Sequence, residues 1–271
     1  MRRTLAIAAF ALVSCSAQTL PAATPISFAT PLRLYATTAT VPLMQDLIVH
    51  YTEAVPNALF ETMTGDYEAM LKAVLADPDA YLLVGYLPGE SDLWAAPVGQ
   101  DGIAIITHPD TGVSGLSSDQ LRRIYQGQVA SWHELGGNDQ ELVVISREDG
   151  SGTRAAFEHL VMGERITTLS AQVAPSSAAV VTSVAQQPGS IGYISMSYVD
   201  DTVRVLRVDD SELTADTVLD NTYPLRSTLY MVGAAEPQDE AYRHFIAWIQ
   251  SIEGQAVVGE HYAPLLRLGN D

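Results

Sequence analysis

Arg147-Glu-Asp-Gly-Ser-Gly-Thr-Arg-Ala-Ala-Phe157 is the stretch on which the reading of this chain turns. The apolar run before it, Glu141 to Ser146, predicts a strand, and Thr153 to Met162 predicts a helix. The stretch is therefore a loop leading from the carboxyl end of a strand into a helix. The first N–H groups of a helix have no partner within it, and the helix dipole adds about half a positive charge there. Ser151, Gly152 and Thr153 stand where they can offer donors to an anion, and Arg147 can add a planar, permanently charged fork. Gly150 and Gly152 allow the backbone to come close. Taken alone, Ser-Gly-Thr is also ordinary N-cap chemistry.

A second loop of the same kind lies upstream. Leu32 to Thr37 reads as a short strand, and Pro42 to Glu53 as a helix with Leu43, Leu47, Ile48 and Tyr51 on one face. Between them lies Ala36-Thr37-Thr38-Ala39-Thr40-Val41, whose Thr37 and Thr38 bring hydroxyls to another helix start. A helix over Asp66 to Leu75 and a buried-type strand from Tyr81 to Leu87 complete a β-α-β opening, which implies a parallel sheet. Ile103 to Thr107 reads as a strand broken by His108-Pro109-Asp110, where the chain is expected to cross into a second lobe. Further on come a helix through Leu121 to Gln126, a helix over Ala178 to Gln186 and a strand over Ser190 to Ile194, with the return crossing expected near Ser195 to Tyr198. A last helix is expected from Asp239 to Ile252, with Gly254 as its stop. The fold class is α/β, and no internal repeat is visible.

The motif from Arg147 to Phe157 resembles the phosphate-binding motif of the periplasmic phosphate-binding proteins of ABC importers. The resemblance continues through Leu116-Ser-Ser-Asp-Gln-Leu-Arg-Arg-Ile-Tyr-Gln-Gly-Gln-Val-Ala-Ser-Trp132, Pro188-Gly-Ser-Ile-Gly-Tyr193, Tyr223-Pro-Leu-Arg226 and Glu253-Gly-Gln255. It implies a two-lobed, type II binding-protein fold in which each lobe is a mixed, mostly parallel sheet flanked by helices and the ligand cleft lies between. The lobes are expected at 31–108 with 197–271 and at 109–196. The implied anion ligands are Thr37, Thr38, Arg147, Ser151, Gly152 and Thr153. The implied function is capture of phosphate by a monomeric binding protein, with no enzymatic step and no cofactor or metal, and delivery to a membrane permease. Tyr193 reads as a core aromatic.

Two departures from the family pattern bear on the ligand. The first loop lacks the family's leading glycine, and Tyr81-Leu-Leu-Val-Gly-Tyr86 lacks the aspartate that many members place after this strand. Phosphate near neutral pH keeps a proton that a carboxylate can accept, whereas fully deprotonated anions would be repelled by it. Asp66, Asp79 and Asp149 read as cap or turn residues. A site of donors alone would suit molybdate, tungstate or sulfate, and a ligand-gated sensor or adhesion lipoprotein is the alternative in kind.

The amino terminus, Met1-Arg2-Arg3-Thr4 followed by the apolar Leu5 to Val13, reads as a signal peptide over 1–14. Cys15, the one cysteine, follows Leu12-Val13-Ser14 as in a lipobox, so lipidation and an extracytoplasmic, membrane-anchored location are expected, with 15–30 as a tether. A formal charge of −18, with Lys72 as the only lysine and no basic run, argues against nucleic acid as a partner. There is neither a phosphate-binding Gly-x-x-x-x-Gly-Lys loop nor a Gly-x-Ser-x-Gly elbow. The six histidines, His50, His108, His133, His159, His244 and His261, are scattered with no His-x-x-x-His spacing, which gives a zinc site little support in sequence.

Overall fold

The computed structural model describes residues 30–89 and 91–267. The expected signal peptide, Cys15 and all but the last residue of the tether lie outside the described residues.

The first half of the chain opens with β1 (Leu32–Thr37), α1 (Val41–Ala54), β2 (Phe60–Gly65), α2 (Tyr67–Ala76) and β3 (Ala80–Val84), followed by the long β4 (Trp94–Thr107). Then come β5 (Gly115–Leu116), α3 (Ser118–Tyr125), β6 (Val143–Arg147), α4 (Gly152–Phe157), β7 (Gln172–Ala174), α5 (Ser177–Gln186) and β8 (Ser190–Ser195). The chain ends with β9 (Arg204–Val205), β10 (Arg207–Val208), α6 (Ala215–Leu219), β11 (Arg226–Gly233), α7 (Glu240–Ile249) and α8 (Ile252–Val258). α4 continues into a wider, π-type turn over Glu158–Met162.

One mixed sheet runs β2-β1-β3-β11-β4-β8-β6-β7, with β9 also on β4. β4 belongs to both halves, since Trp94 to Gly102 pair with β11 and Ile103 to Thr107 pair with β8. In the first half the chain goes from β1 out to β2 and back past β1 to β3, all parallel. Crossovers of one hand then place α1 and α2 on opposite faces, and they do lie in different core clusters. The second half repeats the scheme: β6 to β7 through α4, then back to β8 through α5, again parallel, with α4 and α5 in separate clusters. β1 and β6 are thus the strands where the order reverses, and in such sheets the crevice opens at the carboxyl ends of those strands.

The change of partner in β4 falls at Gly102–Ile103, before the crossing expected at His108, where only a turn over Pro109–Thr111 is found. Past Ser195 to Tyr198 the chain still packs with residues of the second half. Leu206, Val208, Val218, Tyr223 and Leu225 pack in the cluster of the second half, and Arg226 starts the return strand. Tyr223 Oη donates to the Ile103 carbonyl at 2.8 Å and Ile103 N–H to the Leu225 carbonyl at 2.7 Å, so the outgoing and returning chains are stitched together at one level.

Three further elements differ from the reading of the sequence. β2 is an exposed edge strand without apolar alternation. The front of β4 contains Pro97 and meets β11 through an irregularity at Leu229/Tyr230. The single carboxyl-terminal helix is two helices, because Ser251 caps a new one by accepting the Gly254 N–H at 3.3 Å. Gly254 is no stop: it lies inside α8, where a Cβ would come within 2.1 Å of the Trp248 carbonyl oxygen.

Candidate functional site

The loops after β1 and β6 face one another. Arg147, the last residue of β6, is fully buried. Its backbone N–H donates to Tyr193 Oη at 3.3 Å and its carbonyl accepts from Arg154 at 3.0 Å. Tyr193 is a core residue, stacked on Phe157 at 4.2 Å and bonded to Ser146 Oγ at 2.9 Å, so β8 and α4 set the place of the arginine backbone.

The guanidinium reaches out of the second half to the first. Nη2 donates to Thr38 Oγ1 at 3.0 Å, and Nη1 donates to Ser177 Oγ, at the start of α5, at 3.1 Å. Glu148 closes a two-point ion pair with it, Nε and Nη2 each 2.8 Å from a carboxylate oxygen. Four donor contacts on a planar fork hold its position, as a charge removed from water requires. Two more bonds join the halves here, one to each loop: Tyr67 N–H, at the start of α2, to the Gly150 carbonyl at 3.0 Å and Tyr198 Oη, just after β8, to the Thr38 carbonyl at 2.6 Å.

The six expected ligands fall around this junction but do not play one part. Thr38 meets the fork directly. Thr37 is buried and turned inward, with Oγ1 3.0 Å from Thr40 Oγ1, while Thr40 donates to the Leu83 carbonyl at 2.7 Å. No side chain caps α1. Ser151 is the N-cap of α4, its Oγ accepting from Arg154 N–H at 3.3 Å, and Thr153 is buried in the first turn. Gly150 has φ +83°, which calls for glycine, whereas a Cβ at Gly152 would meet open space. Of the carboxylates read as caps or turns, Asp66 caps α2 through Ala69 N–H at 2.8 Å and Asp149 pairs with Arg154.

Three participants were not singled out in the sequence. Ser177 sits 30 positions from Arg147, and no local pattern marks it. Glu148 lies inside the motif, next to Arg147, with no signal of its own there. The third is Asp101, a buried carboxylate at the point where β4 changes partners. Its Oδ1 accepts from Ser195 Oγ at 2.9 Å and from Met196 N–H at 3.2 Å, and its Oδ2 lies beside Gly85, just past β3. A carboxylate does therefore stand at the end of this strand, supplied by another one.

With this geometry, the chain can be set beside known proteins. A sequence profile of the PBP superfamily domain matches residues 17–253. The chain belongs to the PBP superfamily. Among solved superfamily relatives, a substrate-binding protein from Clostridium perfringens with bound phosphate superposes with TM-score 0.82 at 32% identity, covering 88% of this chain and 100% of that one. An ABC-type phosphate transport receptor from Vibrio cholerae gives TM-score 0.72 at 25% identity, covering 86% and 99%. The phosphate-binding protein PstS of Bacillus subtilis (strain 168) is 33% identical over 172 residues, 60% of this chain and 55% of that protein. The matched stretch thus spans just over half the length of that curated relative. The type II binding-protein fold expected from the sequence is the one observed.

In this PBP-superfamily chain, burial pushes the Asp101 carboxyl up to about 7, against the opposing hydrogen bonds from Ser195, Met196 and Gly102. An unfolded aspartate titrates near 3.9. Between these values the folded state holds the extra proton, so this group's contribution to stability falls as pH rises through that window and is level above it. Asp101→Asn keeps the acceptor oxygen without the charge. Its stability relative to the parent is expected to grow from about pH 4 to about pH 7, by at least about 1 kcal/mol, and then to stay constant. Urea unfolding across that range checks this, and parallel pH profiles for the two proteins would refute it.

Proposed function

We propose that this chain captures phosphate between the loops after β1 and β6 and presents it to the membrane permease of an ABC importer. The observation that carries this is the buried Arg147 fork, held at a junction of two helix-opening loops from opposite halves of the fold. The relatives support the choice of anion, being named for phosphate binding or solved with phosphate bound.

The work is binding, with no covalent chemistry. Glu148 places two carboxylate oxygens on the fork, at 2.8 Å each, and so marks positions that two oxygens of a tetrahedral anion would take. Phosphate displaces these oxygens and gathers Thr38, Ser177 and the N–H groups at the start of α4. Because such donors come from both halves, the bound anion stabilises the closed pair of lobes over the open one, and that difference in affinity drives closure. The lobes are proposed as 30–101 with 226–267 and as 103–225, following the strand pairing and packing. Lipidation at Cys15 would hold a monomeric binding domain on the extracytoplasmic face of the membrane.

Glu148 also supplies the carboxylate needed to favour an anion that keeps a proton. A displaced Glu148 stays beside the site, where it accepts from the phosphate hydroxyl and repels sulfate, molybdate and tungstate.

Calorimetric titration of ligand-stripped protein with these four anions tests both steps. Phosphate is expected to bind most tightly, and Arg147→Ala to weaken it by at least about 2 kcal/mol, roughly thirtyfold. Wild-type affinity in a folded Arg147→Ala protein would rule out the site. Glu148→Gln removes the charge and keeps the shape, so its expected effect is a narrower gap between phosphate and sulfate. An unchanged gap would mean that the discrimination comes from elsewhere.

A further inference from the structure

In the first half, four side chains that are scattered in sequence meet. Asp46 and His50 are four residues apart on α1 and so share a face. Glu260 and His261 lie in the turn that follows α8. One ligand atom each from Asp46, Glu260 and His261 lies within 4.8 Å of the others. His50 Nε2 is 3.6 Å from a Glu260 oxygen and His261 Nε2 is 3.8 Å from an Asp46 oxygen.

We propose that Asp46, His50, Glu260 and His261 form a binding site for a divalent transition-metal ion that clips α1 to the turn after α8. The separations carry the inference. At 3.6 and 3.8 Å the facing nitrogen and oxygen atoms are too far apart for good hydrogen bonds, which lie near 2.7–3.2 Å. They are close to the edge of a tetrahedron of ligands around one ion, roughly 3.3–3.5 Å for metal bonds of about 2.0–2.1 Å. The other separations among Asp46, Glu260 and His261 are within 4.8 Å, so side-chain rotations of roughly an ångström bring these three to one ion, and His50 joins through its contact with Glu260.

The backbone beneath is fixed. α1 and α8 share a core cluster through Leu47, Val258 and Tyr262. The turn is tied down by Tyr262 Oη donating to the Ala39 carbonyl at 3.0 Å and by the paired bonds of Gln100 with Ala263, at 2.8 and 2.9 Å. A site on such rigid elements is organised before the ion arrives. The charge balance favours a cation as well. Among the described residues, the ion-pair partners of Asp46, Glu260 and nearby Glu53 are these same two histidines, with no lysine or arginine.

Two imidazoles with two carboxylates suit zinc, copper or nickel, whereas magnesium and calcium prefer all-oxygen sites. Asp46 and His50 lie about 8 and 13 Å along α1 from its amino-terminal end, so the site is displaced from the loop after β1, which only Tyr262 of the adjoining turn reaches, at the Ala39 carbonyl.

The test uses the chain with Cys15→Ser, so that its only thiol cannot compete, freed of metal with a chelator and kept in phosphate-free buffer. Calorimetry with Zn²⁺ is expected to show one saturable site, and Co²⁺ is expected to give the strong visible bands of tetrahedral coordination. Asp46→Asn and His261→Ala should each weaken Zn²⁺ binding by about tenfold or more and abolish the cobalt bands, whereas His133→Ala should leave both unchanged. The ligands are partly exposed, and an unchanged circular dichroism spectrum would show that the variants fold. Absence of saturable binding, or equal affinity in the parent and both ligand variants, would overturn the assignment.

Discussion

A guanidinium with no exposed surface is the constraint around which the junction is built. A charge taken out of water is tolerated only where each of its donors has a partner. For Arg147 those partners come from three separate places, namely the loop after β1, the start of α5 and the neighbouring Glu148. Bringing them together requires the two halves of the sheet to present the carboxyl ends of β1 and β6 to one another. The long β4 makes this possible, because a single strand is paired with β11 along one stretch and with β8 along the next.

An acidic chain is an unexpected host for the proposed anion until distances are considered. The formal charge of −18 is spread over the surface, where salt screens it beyond about 8–10 Å. At the junction the governing terms are short and shielded from water: one fixed fork, hydroxyls at about 3 Å and the outward N–H groups of helix starts. Such local terms outweigh the distant, screened charge. The excess of acid does, however, keep polyanions away from the remaining surface.

Much of the fold was legible in the sequence, because α1, α2, α5, β1 and β8 carry strong apolar periods flanked by caps, prolines or glycines. What escaped was of two kinds. β2 and the front of β4 lack the alternation that marks a strand, one being an exposed edge and the other interrupted by Pro97. The β-α-β-α-β scheme that relates the two halves leaves no repeat in the sequence, since a shared topology needs only similar apolar spacing and not similar residues. The motif at 147–157 lies at the junction, but the division of labour among its residues was not legible from it. Whether Ser151 faces a ligand or caps its own helix depends on a side-chain rotation, and Ser177 and Asp101 enter only through tertiary contacts.

The junction and the crossing of the chain between halves are physically joined. Asp101, where β4 changes partners, accepts from Ser195 and Met196 at the end of β8, while Ser195 Oγ lies 3.0 Å from Ser197 Oγ. One residue further, Tyr198 donates to the Thr38 carbonyl, and Thr38 in turn meets Arg147. Burial pushes the Tyr198 phenol up, Arg147 opposing this and Asp101 adding to it, which places the phenol within reach of both charges. A rotation of one half against the other cannot leave this chain of contacts intact, because its ends belong to different halves. Under the proposed function, an anion held by Arg147 and Thr38 together would favour the one arrangement in which the contacts between loop and crossing are all made. Such an anion would act on the hinge through its difference in affinity for the two arrangements, not through the strength of any single bond.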